Sequence, residues 1–423
     1  MIQTIQLSPG VTLRCFRDGR FKQGCLSVQL VRPMDGREAA MNALLGAVLL
    51  RGTRRYPSLR DITLALDDLY GASLSPLVRR VGDCQTTGLF CGFMDQRFAL
   101  PGDRVLEPMA DFLRQVLLEP DLEGGVFRER FVESEKRNLI SAIECDRNDK
   151  QVYAMGKLLK LVCRNDSFGL SRLGEPEEVA AVTPRGLYDH YQKILRESPV
   201  ELLYVGSAQP EQVAALLAPL FDLPGRSPLP LPVQRDLIPC PGAQVTQTMD
   251  VTQSKLCLGF TTPITNRTEQ YPAMQLLNQV FGAGMTSKLF MNLREKQCLC
   301  YSIGSGYYGS KGIVTVSAGI DGASRDQAQA EILRQLELCA AGDITDRELQ
   351  SAKEGALSGL RAAHDSPGAI ESYYSHAALN GLLMPPEAYM EKIAAVELPQ
   401  LARAARTLTL HSTYFLTERR AEP

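Results

Sequence analysis

The feature that most limits how this chain can fold is a proline-rich break near its middle. From Leu223 to Pro239 it reads LPGRSPLPLPVQRDLIP, with neither a helical period nor the alternation of a strand. Proline lacks a backbone donor and fixes φ, so such a stretch is a stiff, extended connector rather than part of a core. The 423 residues exceed one ordinary core and suit two domains. The boundaries are placed at 1–222 for the first domain, 223–241 for the linker and 242–423 for the second.

The same order of elements stands on both sides of the break. In the first half, strand patterns at Val11–Cys15 and Gly24–Val31 precede a helix of small and branched apolar residues. A short helix follows, opened by the capping pattern Ser58-Leu59-Arg60-Asp61 and closed by Gly71, then strands at Ser73–Arg80 and Thr86–Met94 and several long helices. In the second half, a strand at Lys255–Phe260 leads to a helix begun at Pro272, the stretch Lys288–Lys296, strands Tyr301–Tyr308 and Ile313–Ile320, and more long helices. The fold class is α+β, a duplicated unit in which an antiparallel-rich sheet is flanked by helices.

Net charge is −2, from 46 basic and 48 acidic residues, which leaves no positive excess to hold nucleic acid or an anionic membrane. The longest apolar run, Ala43–Leu50, is far short of a membrane span, and the N-terminal residues lack the pattern of a signal peptide. Eleven scattered cysteines read as reduced, mostly buried thiols of a cytoplasmic protein.

Chemistry-bearing patterns are few. Of the four histidines, His190, His364, His376 and His411, none has the spacing of a helical zinc motif, and His190 is expected on a partly exposed helix face. Gly304–Lys311 fails as a phosphate loop because Ser310 stands where lysine is required. Gly282-Ala283-Gly284 is too short for a dinucleotide fingerprint and follows a helix, not a strand. What remains is Arg294 and Tyr301 in LFMNLREKQCLCYSIGSGY. An arginine fork can hold a peptide carbonyl or carboxylate, and a tyrosine hydroxyl can donate to a developing oxyanion. Taken singly, an arginine on a helix and a tyrosine on a strand are more often a surface charge and a core edge.

These stretches together resemble the pitrilysin/insulinase-type zinc metallopeptidases over nearly the whole chain. The matching segments are Leu49–Thr53, Leu69–Ala72, Leu173–Pro176 with Val182-Thr183, and above all FGAGMTSKLFMNLREKQCLCYS. Within that superfamily the chain is most similar to non-catalytic subunits of bacterial two-component enzymes, including the YfmF-like proteins associated with elongation factor P modification. The resemblance implies two tandem domains of the mitochondrial-processing-peptidase/LuxS-like metallohydrolase type. Active members carry H-x-x-E-H at a fixed interval before Gly52-Thr53, and those positions here hold Ala43, Gly46 and Ala47. Aligning Glu135-Lys136 with the family's Glu-Lys pair puts the distal ligand at Ala142. Alanine and glycine side chains offer no donor atom, so no metal site is expected in this chain. The small side chains are expected to leave room beside the helix.

The resemblance further implies a heterodimer with a similar-sized subunit that bears the zinc motif and holds the zinc. This chain would position a peptide through Arg294, Tyr301 and the glycine turn at Gly282 and Gly284; when that subunit is absent, a homodimer and a lone chain are both left open. Two other readings remain: a structural scaffold with no part in proteolysis, and a peptidase with ligands relocated to His364, Glu371 and His376.

Overall fold

The computed structural model describes residues 2–418. Strands β1 (Ile2–Ser8), β2 (Val11–Arg17), β3 (Gln23–Pro33), β4 (Ser73–Val81) and β5 (Cys84–Met94) come first, and β6 (Leu122–Glu123) with β7 (Val126–Phe127) forms a small separate hairpin. After them come β8 (Val200–Gly206), β9 (Gln244–Met249), β10 (Ser254–Thr261), β11 (Cys300–Tyr308), β12 (Ile313–Ile320) and β13 (Thr409–Glu418). The five helices of the first stretch are α1 (Gly36–Leu49), α2 (Leu59–Asp68), α3 (Leu106–Leu118), α4 (Glu129–Asn148) and α5 (Lys150–Val162).

The duplication is visible in the strand order. One sheet runs β1-β2-β8-β3-β5-β4 and the other β11-β12-β10-β13-β9. Without β1, the first read backwards is β4-β5-β3-β8-β2, which matches the second strand for strand. The pairing sense also matches, with three antiparallel ladders and then one parallel pair, β8 with β2 and β13 with β9. Strand β4 is therefore the counterpart of β11, and α2 that of the short helical segment Phe290–Lys296.

Two compact units result, and they are not contiguous in sequence. One comprises the chain up to Glu144, Leu170–Val233 and Ala363–Pro385; the other comprises Cys145–Gly169, Gln234–Ala362 and the chain from Pro386. Two segments thus stand across the boundary placed from sequence. In the first unit, Ile370 and Tyr374 of helix Pro367–Leu379 pack on Cys25, Leu203 and Val205, the sheet face that α1 and α3 do not cover. In the second, Ala154, Leu158 and Val162 of α5, at i, i+4 and i+8, pack on Cys257, Tyr414 and Leu416. With both faces covered, the central strands are buried continuously instead of in alternation: β8 and β12 at every residue, β3 at all but its ends.

Strand β3 carries polar residues into this interior. Ser27 Oγ donates to Glu371 Oε1 at 2.7 Å, and Gln29 Nε2 donates to Ser375 Oγ at 2.9 Å. Arg79 on β4 grips the fully buried Glu371 carboxylate with two bonds of 2.9 and 2.8 Å. The added helix is therefore held by a charged anchor as well as by apolar contact. No helix among the described residues is long and apolar enough to cross a membrane.

Candidate functional site

The positions that the resemblance aligns with the zinc motif lie on α1, which is capped by Asp35, whose side chain accepts from Arg37 N. The helix is apolar on nearly all sides and is buried between sheet and neighbours. Ala43 and Gly46 are buried and Ala47 is half-buried. The expected room beside them is absent at Gly46. A Cβ there would come within 3.0 Å of the Gly88 carbonyl oxygen on β5 and 3.1 Å of Pro76 Cβ on β4. The absence of a side chain at Gly46, the position that the resemblance aligns with the glutamate base, lets the helix pack closely on the strands.

Ala142 is exposed on α4, as is Glu144 two residues on. The Glu135-Lys136 pair is engaged elsewhere: Glu135 pairs with Arg51 at 3.2 Å, and Lys136 Nζ donates to the Val182 carbonyl at 3.0 Å. Among the described residues, no three of His, Cys, Asp or Glu stand together as a metal would need. The relocated set fares no better, because the Arg79 fork, Ser27 and Ser375 already occupy the Glu371 carboxylate. His376 Nδ1 lies 2.8 Å from the Ser372 carbonyl of its own helix.

His190 is not on an exposed face. It is buried against α1, where Nε2 donates to Asn42 Oδ1 at 2.8 Å; the Asn42 amide in turn donates to Gln85 Oε1 at 2.8 Å. Burial pushes the imidazole down to about 4, so it is neutral near pH 7. The signal in the sequence was Asn42, a lone polar residue inside an apolar helix run.

The other candidates stand in the second unit, on the counterparts of α2 and β4. Gly282 lies in a π-helical turn, Gln279–Ala283, where a Cβ would meet Ser305 Oγ at 2.7 Å, so only glycine lets this turn lie on β11. Gly284 has no such requirement, its nearest Cβ contact being an ordinary 3.6 Å. Arg294 sits on a second π-helical segment, Phe290–Lys296, half-exposed, its guanidinium 4.7 Å from the Phe290 ring centroid. The chain then turns through Cys298, held at φ 52, into β11.

Tyr301 falls at an irregularity in that strand. Cys300 pairs with Ile320 and Ser302 with Gly319, so Tyr301 is an extra residue, a β-bulge on an edge strand. A bulge turns its side chain out of the strand's alternation, and Tyr301 is 72% exposed. Arg294 lies close enough to neighbouring Cys300 to draw its thiol down, against burial that pushes it up to about 11. The local fold thus brings the arginine and the tyrosine to one end of β11. A cleft of about 450 Å³ opens beside Tyr301, lined also by Gln253, Ser254 and Asp321. A charged fork, a phenol and a polar cleft can orient a peptide backbone; none of them can hold a metal by itself. Sequence reasoning found Arg294 and Tyr301 but neither the bulge nor the cleft.

Comparison with known proteins agrees with this description. Residues 181–356 match the Peptidase M16 inactive domain. A Bacillus subtilis protein described as "Probable inactive metalloprotease YmfF" is 28% identical over 407 residues, covering 96% of each chain. A crystal structure of a conserved protein from Enterococcus faecalis superimposes with a TM-score of 0.93 at 26% identity, over 100% of both chains. The fold is also shared with a peptidase M16 inactive domain from Pseudomonas fluorescens, TM-score 0.81 at 17% identity, covering 100% of this chain and 99% of that one.

Proposed function

Since this chain is an inactive M16-peptidase-like protein, we propose that it serves as the non-catalytic subunit of a heterodimeric zinc peptidase in the cytoplasm. It binds and orients a peptide for a similar-sized partner that carries the zinc motif. The observation that carries the reading is the contrast between α1, with no donor atom at three motif positions, and the start of β11, where Tyr301 stands exposed a few residues after the half-exposed Arg294.

Zinc held by the partner would supply an activated water. On this chain, the Arg294 fork holds a carbonyl or carboxylate of the peptide, and the Phe290 ring beneath the guanidinium limits its wandering. The Tyr301 hydroxyl, which makes no hydrogen bond within the described residues, donates to the oxygen on which charge develops. Such donors act only when preorganised, which is the service of the bulge.

The test is reconstitution. The purified chain alone is expected to contain no stoichiometric zinc by elemental analysis and to cleave no peptide, whereas adding a zinc-motif partner produces cleavage. A stable complex without cleavage would favour a scaffold role instead. Stoichiometric zinc on this chain alone would overturn the proposal.

A further inference from the structure

A cleft in the first unit has no part in that reading. Its volume is about 390 Å³ and its walls include Arg51, Ser58, Arg130, Phe131, Ser134 and Arg137. The lining holds three arginines, two hydroxyls and an aromatic ring, with no carboxylate.

The sequence builds it simply. Arg130, Ser134 and Arg137 stand at i, i+4 and i+7 on α4 and so share one face. Arg51 follows α1 directly, and Ser58 caps α2, whose positive end lies in the wall. Phe131 is buried beneath, with the Arg130 guanidinium 4.9 Å and that of Arg51 6.0 Å from its ring centroid. Arg51 is partly engaged, by Glu135 at 3.2 Å and Ser134 Oγ at 3.4 Å. Arg130 and Arg137 have no carboxylate partner among the described residues.

Like charges gathered in one cleft repel, and here they do so in a chain whose net charge is −2. An anion would offset that cost, and guanidinium forks match planar carboxylates. Spacing selects the kind of anion. Seven residues of helix separate the Arg130 and Arg137 backbones by about 10 Å along the axis. That is wide for a single phosphate, but close to the spacing of two side chains three residues apart on a polyproline-II peptide, about 9 Å, which its three-residue turn sets on one face. The volume lies at the small end of ligand pockets, roughly 300–1,000 Å³, enough for two acidic side chains.

We propose that this cleft is a subsite for an acidic segment of peptide, with two carboxylates taken by Arg130 and Arg137 above the Phe131 ring, Arg51 assisting. The assignment rests on the peptide-binding reading above for its choice of a peptide over a free anion.

The test uses the full chain alone and two fluorescein-labelled decapeptides, one with glutamates three residues apart, the other with glutamines there. Fluorescence anisotropy should give the glutamate peptide roughly tenfold or more tighter binding, an advantage that shrinks with added salt. It should vanish in Arg130→Gln/Arg137→Gln and persist in Arg403→Gln, an exposed arginine of the second unit. Unchanged urea midpoints check that the variants fold. Equal binding of the two peptides, or an advantage that survives the double substitution, overturns the proposal. Inorganic phosphate is the second probe: weak competition supports a peptide site, whereas phosphate binding tighter than the peptide overturns it. Because binding is read without a partner or cleavage, failure here leaves the reconstitution assay untouched, and failure there leaves this site standing.

Discussion

The duplicated units can be compared corner by corner, because α1, α2 and β4 have counterparts around β11. The only two non-glycine residues with left-handed backbone among those described are Tyr70, φ 61, and Cys298, φ 52. Both occupy the turn between the short helical segment and the edge strand. The backbone device is common to both; its use is not. In the first unit the turn is tied shut: the Tyr70 hydroxyl bonds to Asp103 and accepts from Leu100 N at 3.0 Å. The edge strand there is locked through Arg79 and Glu371, and the helix behind it is pressed onto Gly88 and Pro76. In the second unit the turn leads to a bulge that holds Tyr301 out to solvent. The difference teaches that one backbone device can serve a closely packed corner in one unit and an open one in the other.

The strongest way to break this comparison is at the anchor of the first corner. Glu371→Ala leaves Arg79, Ser27 and Ser375 without their shared acceptor. It should cost about 3–5 kcal/mol of unfolding free energy in urea; a loss below about 1 kcal/mol would mean the helix is held by apolar contact alone. Next is Gly46→Glu, which restores one motif residue. With 3.0 Å to the Gly88 oxygen it should lower stability by about 3 kcal/mol, and Ala43→His/Gly46→Glu/Ala47→His should still retain no zinc in equilibrium dialysis.

The pH dependence sharpens the same corner. His190 is pushed down to about 4, so it takes up its proton more readily in the unfolded chain. Its contribution is whole above the unfolded value near 6.5, is lost as pH falls from there to about 4, and levels off below. The total is roughly 3 kcal/mol. His190→Gln should flatten that part of the stability-pH curve relative to the parent chain. An identical slope would place His190 in a solvated site.

The smallest effect tests the turns. Cys298→Gly should stabilise by about 1 kcal/mol, because glycine adopts positive φ without strain. Tyr70→Gly should not, since relief of strain there is offset by the lost hydroxyl bonds. Equal stabilisation at both turns would erase the contrast between the corners.

Much of this was legible in the sequence. The duplication follows from the order of elements, whereas the motif positions on α1 and the pairing of Arg294 with Tyr301 were read from the resemblance. Strands β1 and β9 were missed because their half-exposed, polar-rich alternation looks like loop. The crossing of α5 and helix Pro367–Leu379 was illegible for a different reason: an apolar stripe says that a helix is covered, not which sheet covers it. The crowding at Gly46 depends on where Gly88 falls in register, and the bulge at Tyr301 on one extra residue; neither changes composition. The cleft beside α4 combines residues from three separate segments, which a linear reading does not bring together.

The most direct measurement of the central claim is steady-state cleavage by the pair reconstituted with a zinc-motif partner, comparing the parent chain with Arg294→Ala and Tyr301→Phe. Tyr301 is exposed, so Tyr301→Phe should leave stability within about 0.5 kcal/mol. It should lower kcat by about 10²-fold, the loss typical of one oxyanion donor, and Arg294→Ala should chiefly raise KM. Unchanged kcat and KM in both variants would contradict the account.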